Sequence, residues 1–116
     1  MAALDGGVGA VATGSGQAAN LLAIVNIAKA GEHIVALNYI YGATFNLANK
    51  IIKDFGIDST LVSVNNFDEL EGAIKDNTKL IIGESLANPK ADVLDIEKYA
   101  EIAHKHNIPL ILDNTL

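Results

Sequence analysis

Apolar residues fall along this chain in two alternating rhythms. Short, nearly continuous apolar runs recur at Val8–Ala12, His33–Leu37 (HIVAL), Ser59–Val64, Lys79–Gly83 (KLIIG) and Pro109–Leu112. Runs of this length, bounded by turn residues, predict strands covered on both faces. Between them the apolar spacing changes to three and four. Thr44, Leu47, Ala48, Ile51, Ile52 and Phe55 make one helical stripe. Phe67, Leu70, Ala73 and Ile74 make a second, and Ile96, Tyr99, Ala100 and Ala103 a third. The segment from about Gln17 to Lys29 is apolar almost all round, which predicts a helix covered on more than one side.

The stop and start signals agree with this division. Gly31 and Gly56 close helices, and Asn66 with Glu69 three residues on predicts a capping box. Asp95 caps the last helix, and Asn107 predicts a left-handed ending. Five strands alternating with four helices predict an α/β fold: a mostly parallel sheet with helices on both faces.

Composition narrows the functional classes. Half of the 116 residues are apolar, enough for one domain with a modest core. A formal charge of -6 argues against nucleic acid or an anionic membrane surface as partner. Every basic side chain other than histidine is a lysine, so no bidentate arginine clamp is available. Cysteine is absent, which excludes thiol chemistry and fits the cytoplasm. The start, MAALDGG, lacks the basic region and long apolar core of a leader, and Ala18–Ile27 is too short to span a bilayer. Met1–Leu4 reads as the tail of a helix closed by Gly6 and Gly7, an opening expected of a chain that begins inside a larger fold.

Ligands of open parallel sheets bind at the C-terminal ends of the strands. After the first predicted strand come Ser15, Gly16 and Gln17, a glycine turn opening a helix. The first N–H groups of such a helix lack carbonyl partners and favour an anion, usually a phosphate. The same turn also fits a strand-to-helix connection with no ligand. The other strand ends carry Asn38, Tyr39 and Tyr41; Asn65 and Asn66; Glu84, Ser85 and Asn88; and Asp113, Asn114 and Thr115. Asp113 follows IPLIL and is expected to be largely desolvated, which suits either a protonated ring nitrogen of a cofactor or a local backbone cap. Tyr41 suits stacking on a flat ring or plain packing, and Glu84 suits orienting a cation or capping its loop.

Gly14-Ser15-Gly16-Gln17-Ala18-Ala19 also fits a dinucleotide fingerprint. Its expected acid at the end of the second strand is missing, because Glu32 precedes that strand and Leu37-Asn38 ends it. His104 and His106 stand two apart, a spacing that does not converge on a metal from a helix. No metal site is expected, and His33 is read as a strand residue with no cluster around it.

Taken together, LDGGVGAVATGSGQAA, NYIYGATFNL, TKLIIGESLANP and AEIAHKHNIPLILDNT resemble the Cys/Met-metabolism enzymes that use pyridoxal 5′-phosphate (PLP), and within them the O-acetylhomoserine sulfhydrylase branch. The resemblance runs over the whole chain in order. It implies the type I, aspartate-aminotransferase-like PLP fold, with residues 1–116 a part of the large cofactor-binding domain, cut at both ends. It implies that Ser15, Gly16 and Gln17 hold the cofactor phosphate. Tyr41 would stack on the ring and assist proton transfer, and Asp113 would pair with the pyridinium nitrogen. Asn88 would lie near the ring's phenolic oxygen, Thr115 near the ring, and Glu84 beneath the site as a structural residue.

The implied reaction is γ-replacement on O-acetyl-L-homoserine by sulfide, giving L-homocysteine and acetate. The alternatives are a related lyase or synthase acting on cystathionine or methionine, or a non-catalytic nucleotide-binding module. The implied partner is a small amino-acid substrate, and the intact enzyme is expected to be a homo-oligomer. The family departs from this chain in four respects. Gly42-Ala43-Thr44 stands where Gly-Gly-Thr is usual, and Leu116 where an aromatic is common. The family's cofactor-linking lysine lies in a Ser-x-Thr-Lys stretch beyond Asp-Asn-Thr, and the chain carries no such stretch. It also lacks the tyrosine and arginine that the family supplies from an N-terminal arm to a neighbour's phosphate site, and the arginine for the substrate carboxylate. Alone, these residues are expected to bind PLP weakly and not to turn over.

Overall fold

A computed structural model describes residues 6–9, 12–37, 52–63, 66–84 and 95–113 of the chain. In order, the elements are α1 (Gly16–Ile27), β1 (His33–Leu37), α2 (Ile52–Asp54), β2 (Asp58–Val62), α3 (Phe67–Ala73), β3 (Thr78–Glu84), α4 (Ile96–Lys105) and β4 (Leu110–Asp113). The strands form one parallel sheet in the order β2-β1-β3-β4. Helix bounds follow local chemistry. Asn66 Oδ1 accepts from the Glu69 N–H at 3.1 Å and starts α3. The Glu69 carboxylate reaches back to Asn66 Nδ2 and the Ser63 N–H rather than to the cap's own N–H. Asp95 Oδ1 accepts from the Lys98 N–H at 3.2 Å and starts α4. Asn107, at φ 59, turns the chain out of α4 as its residue type predicts. No described helix is long and apolar enough to cross a membrane.

Strand alternation sorts the core into two layers. Ile34 and Ala36 of β1 with Leu80 and Ile82 of β3 face Ile24 and Ala28 of the α1 segment and Ile52 of α2. Val35, Leu37, Val62 and Ile81 face the other way, against Leu70 of α3 and Tyr99, Ile102 and Ala103 of α4. The helices therefore cover both faces, and β1 is buried at every position. Phe67 and Tyr99 close the second layer with ring centroids 5.0 Å apart. Gly83 is tied to that layer, since a Cβ there would lie 2.5 Å from Leu37 Cδ1.

Several expected bounds move. α1 ends at Ile27 rather than Lys29, and the third predicted strand runs Asp58–Val62 rather than Ser59–Val64. Ile96 is 41% exposed, and its expected place in the α4 core belongs to Ile102. The strand expected at Val8–Ala12 does not appear at its described residues 8, 9 and 12, and Val8 is fully exposed. An apolar run becomes a strand only where a neighbouring ladder takes its N–H and C=O groups, and no described strand pairs there. The helix expected along the Thr44–Phe55 stripe is described only at Ile52–Asp54.

Candidate functional site

The direction of α1 decides which sheet edge it serves. Its C-terminal end lies where β1 begins: the Gly31 N–H donates to Gly56 O at 2.9 Å, and Asn77 Nδ2 donates to Gly31 O at 3.1 Å. Twelve helical residues span about 18 Å, the length of a five-residue strand. The N-terminus of α1 therefore opens at the edge where the parallel strands end.

Ser15 caps that opening with extended backbone, φ -162 and ψ 163. Its Oγ accepts from the Ala18 N–H at 3.1 Å. Thr13 Oγ1 donates to Ser15 O at 2.8 Å and holds the turn. A hydroxyl that accepts through a lone pair keeps its own hydrogen to donate, so capping and anion binding do not compete at Ser15. Helix geometry directs the N–H groups of Gly16 and Gln17 out of the first turn. No acidic residue stands in that turn and residues 12–15 are exposed, so the turn itself sets neither like charge nor cover against an anion.

The acidic positions arrive at the same edge by strand register. Glu84 of β3 and Asp113 of β4 are register partners at the ends of adjacent parallel strands. Leu80 and Ile82 of β3 face α1, and Ile111 of β4 precedes Asp113 in period two on that same face. Asp113 therefore shares both an edge and a face with the α1 N-terminus. It is half-buried rather than largely desolvated, because β4 is the outer strand of the described sheet and is half-buried throughout. This donor and acceptor set fits a cofactor with a phosphate at one end and a protonated ring nitrogen at the other. Tyr41, Asn88 and Thr115 lie outside the described residues, as do Asn38, Tyr39, Asn65, Ser85 and Asn114.

In the sequence Asn20 stands only as a polar break within the apolar run Ala18–Ile27. It is 8% exposed, and its Nδ2 is buried without a hydrogen-bond partner among the described residues. The signal was present: Asn20 stands four residues before Ile24, on the stripe that faces the sheet. The outer side of α1 instead carries a groove of about 600 Å³, lined by Ala19, Leu22, Val25 and Asn26 among others.

Other candidates resolve into structure. Glu32, the misplaced acid of the dinucleotide pattern, accepts from the Lys29 N–H at 2.7 Å and pairs with Lys79 at 3.4 Å, at the opposite edge. Asn66 is spent as a helix cap. His106 and Lys105 both meet Glu71, at 3.3 and 3.0 Å. Lys105 foremost, with His106, holds the Glu71 carboxyl below its ordinary value. His33, expected to stand alone, is 1% exposed and has a partner at each ring nitrogen: Nδ1 meets Thr78 Oγ1 at 2.7 Å, Nε2 meets Thr60 Oγ1 at 2.8 Å. Burial chiefly, then Lys75, lowers its pKa.

The profile described as Cys/Met metabolism PLP-dependent enzyme matches residues 1–116. The chain is 47% identical over 117 residues to the O-acetyl-L-homoserine sulfhydrylase of Corynebacterium glutamicum, covering 100% of this chain and 27% of that protein. It is 40% identical over 116 residues to an L-methionine gamma-lyase of Fusobacterium nucleatum, covering 99% of this chain and 29% of that protein. The solved O-acetylhomoserine sulfhydrylase of Wolinella succinogenes superposes with a TM-score of 0.94 at 36% identity, over 98% of this chain and 32% of that one. The chain thus spans about a quarter to a third of the length of these proteins.

Proposed function

We propose, from the premise that the chain belongs to the Cys/Met metabolism PLP-dependent enzyme family, that it carries the phosphate and ring-nitrogen contacts of a γ-replacement enzyme. The reaction replaces the acetate of O-acetyl-L-homoserine with sulfide, giving L-homocysteine and acetate. One observation carries the reading: a capped, acid-free helix N-terminus opens on the same edge and face of the sheet as Asp113. The higher identity to the sulfhydrylase than to the lyase supports the substrate. In this reading residues 1–116 are part of the large cofactor-binding domain of a cytoplasmic homo-oligomer.

The cofactor, when bound, supplies an electron sink for negative charge developing on the substrate carbons. The residues of this chain hold and tune it. Ser15 Oγ–H and the N–H groups of Gly16 and Gln17 donate to the phosphate. Asp113 accepts the ring N–H and keeps that nitrogen protonated, because a carboxylate beside it favours the charged form. Tyr41 stacks on the ring, and its hydroxyl moves a proton toward the departing acetate oxygen. Asn88 donates to the phenolic oxygen, Thr115 packs beside the ring, and Glu84 supports the strand end.

Homocysteine formation from O-acetyl-L-homoserine and sulfide by the intact enzyme, with PLP present, tests the reading. Its loss in Asp113→Asn is the expected result. A second reading, a γ-lyase, is favoured by the 40% identity to a methionine lyase. Ammonia and 2-oxo acid released from methionine or cystathionine, without homocysteine formation, would select it. Thermal protection by NAD and none by PLP would select a nucleotide-binding module instead.

A further inference from the structure

We propose that Asn20 is a further positioning residue of this anion site, its side-chain amide donating a hydrogen bond to the phosphate from the sheet side. The inference rests on the cofactor reading above. Asn20 is more than nine-tenths buried, and its Nδ2 has no partner among the described residues. A buried donor left unpaired is destabilising, and native structures keep few of them. Its place on α1 says where a partner enters. Asn20 continues the sheet-facing stripe of Ile24 and Ala28, which packs on Ile34, Ala36, Leu80 and Ile82. Helical side chains lean toward the helix N-terminus. The amide therefore leans toward the first turn of α1, at the edge where β3 and β4 finish with Glu84 and Asp113.

The chemistry of the site points the same way. The donors that the described residues offer here, Ser15 Oγ–H and the N–H groups of the first turn of α1, are neutral. Ser15 and the first turn of α1 supply donors from the solvent side. Asn20 lies four residues, about 6 Å along the axis, behind Gly16, and supplies one from beneath. A carboxamide gives a directed hydrogen bond without adding charge, which suits a site whose dipole already favours an anion.

The test compares the purified protein with Asn20→Leu, using PLP, pyridoxal (which lacks the phosphate) and inorganic phosphate as probes. Equilibrium dialysis and thermal midpoints are the readouts. Expected for Asn20→Leu are a raised midpoint without ligand, PLP affinity lower by roughly tenfold, unchanged pyridoxal affinity, and lost stabilisation by phosphate. Equal losses for PLP and pyridoxal, or unchanged PLP affinity, would overturn the inference and leave the cofactor reading standing. A parent protein stabilised by phosphate but not by PLP would sink the cofactor reading alone, provided Asn20→Leu removes the phosphate effect. Stabilisation by neither would sink both. Should Asn20→Leu fail to fold, Asn20→Asp has the same shape and reads the same contact, with a larger loss of PLP affinity expected from like-charge repulsion.

Discussion

The two edges of the sheet spend their polar groups differently. At the N-terminal edge polar groups find partners within the fold. His33 bridges Thr78 and Thr60, and Thr78 Oγ1 also accepts from the Lys75 N–H at 2.8 Å. Glu32 is shared between Lys29 and Lys79, and Asn77 holds Gly31. At the C-terminal edge several donors stay open among the described residues. Ser15 keeps a hydrogen to donate, the first turn of α1 opens outward, and Asn20 buries an unpartnered amide. Paired polar groups lower the energy of the fold, whereas unspent donors on one rim are what a ligand can use. The comparison separates stability from binding by position along the same strands.

Removing a charge at the binding rim has the largest expected effect. In the intact enzyme, Asp113→Asn should lower the rate of homocysteine formation by about 100-fold or more, the scale of losing a preorganised electrostatic contact. Its urea midpoint should stay close to that of the parent protein, since Asp113 is half-buried at an outer strand. A large loss of stability with unchanged turnover would erase the contrast between the edges.

The opposite rim should show the reverse pattern. His33→Ala leaves a cavity and strips partners from two threonines, so unfolding should become easier by about 3 kcal/mol. PLP affinity, measured by dialysis, should hold. Two helix caps sharpen the point at smaller scale. Ser15→Ala and Asn66→Ala should each lose about 1 kcal/mol of stability, read by urea titration. Only Ser15→Ala should also weaken PLP binding, because the N-terminus of α3 is not at the proposed site.

The smallest effect is a pH slope. The pKa of His33 is lowered from 6.5, chiefly by burial. The unfolded chain therefore takes up the proton more readily than the folded one. The contribution of the neutral ring is full above about pH 6.5 and is lost as pH falls through the lowered folded value. Glu71, also lowered, is held by Lys105 and His106 and adds its loss further into acid, below its ordinary 4.5. Urea midpoints should fall between pH 7.5 and 5.5, and His33→Gln should flatten that segment. An unchanged slope in His33→Gln would show that the N-terminal edge is not the acid-sensitive one.

What the sequence by itself determined is whatever depends on neighbours within a turn. The caps at Ser15, Asn66 and Asp95 and the left-handed Asn107 were legible because cap and acceptor stand within three residues. HIVAL was legible as a doubly covered strand because β1 is buried at every position. The ordered motifs also carried the family, which the profile match over residues 1–116 bears out. The tertiary structure alone decided what depends on register and on partners distant in the chain. Val8–Ala12 had the composition of a strand, but its described residues have no ladder to join. The pairing of Glu84 with Asp113 follows from a register that no local pattern encodes. His33 finds Thr60 and Thr78 only after three strands align, and Asn20 becomes an orphan donor only when α1 settles on the sheet. Hydrogen bonds within a turn form from the chain's own geometry, whereas burial and cross-strand pairing exist only once separate elements share one core.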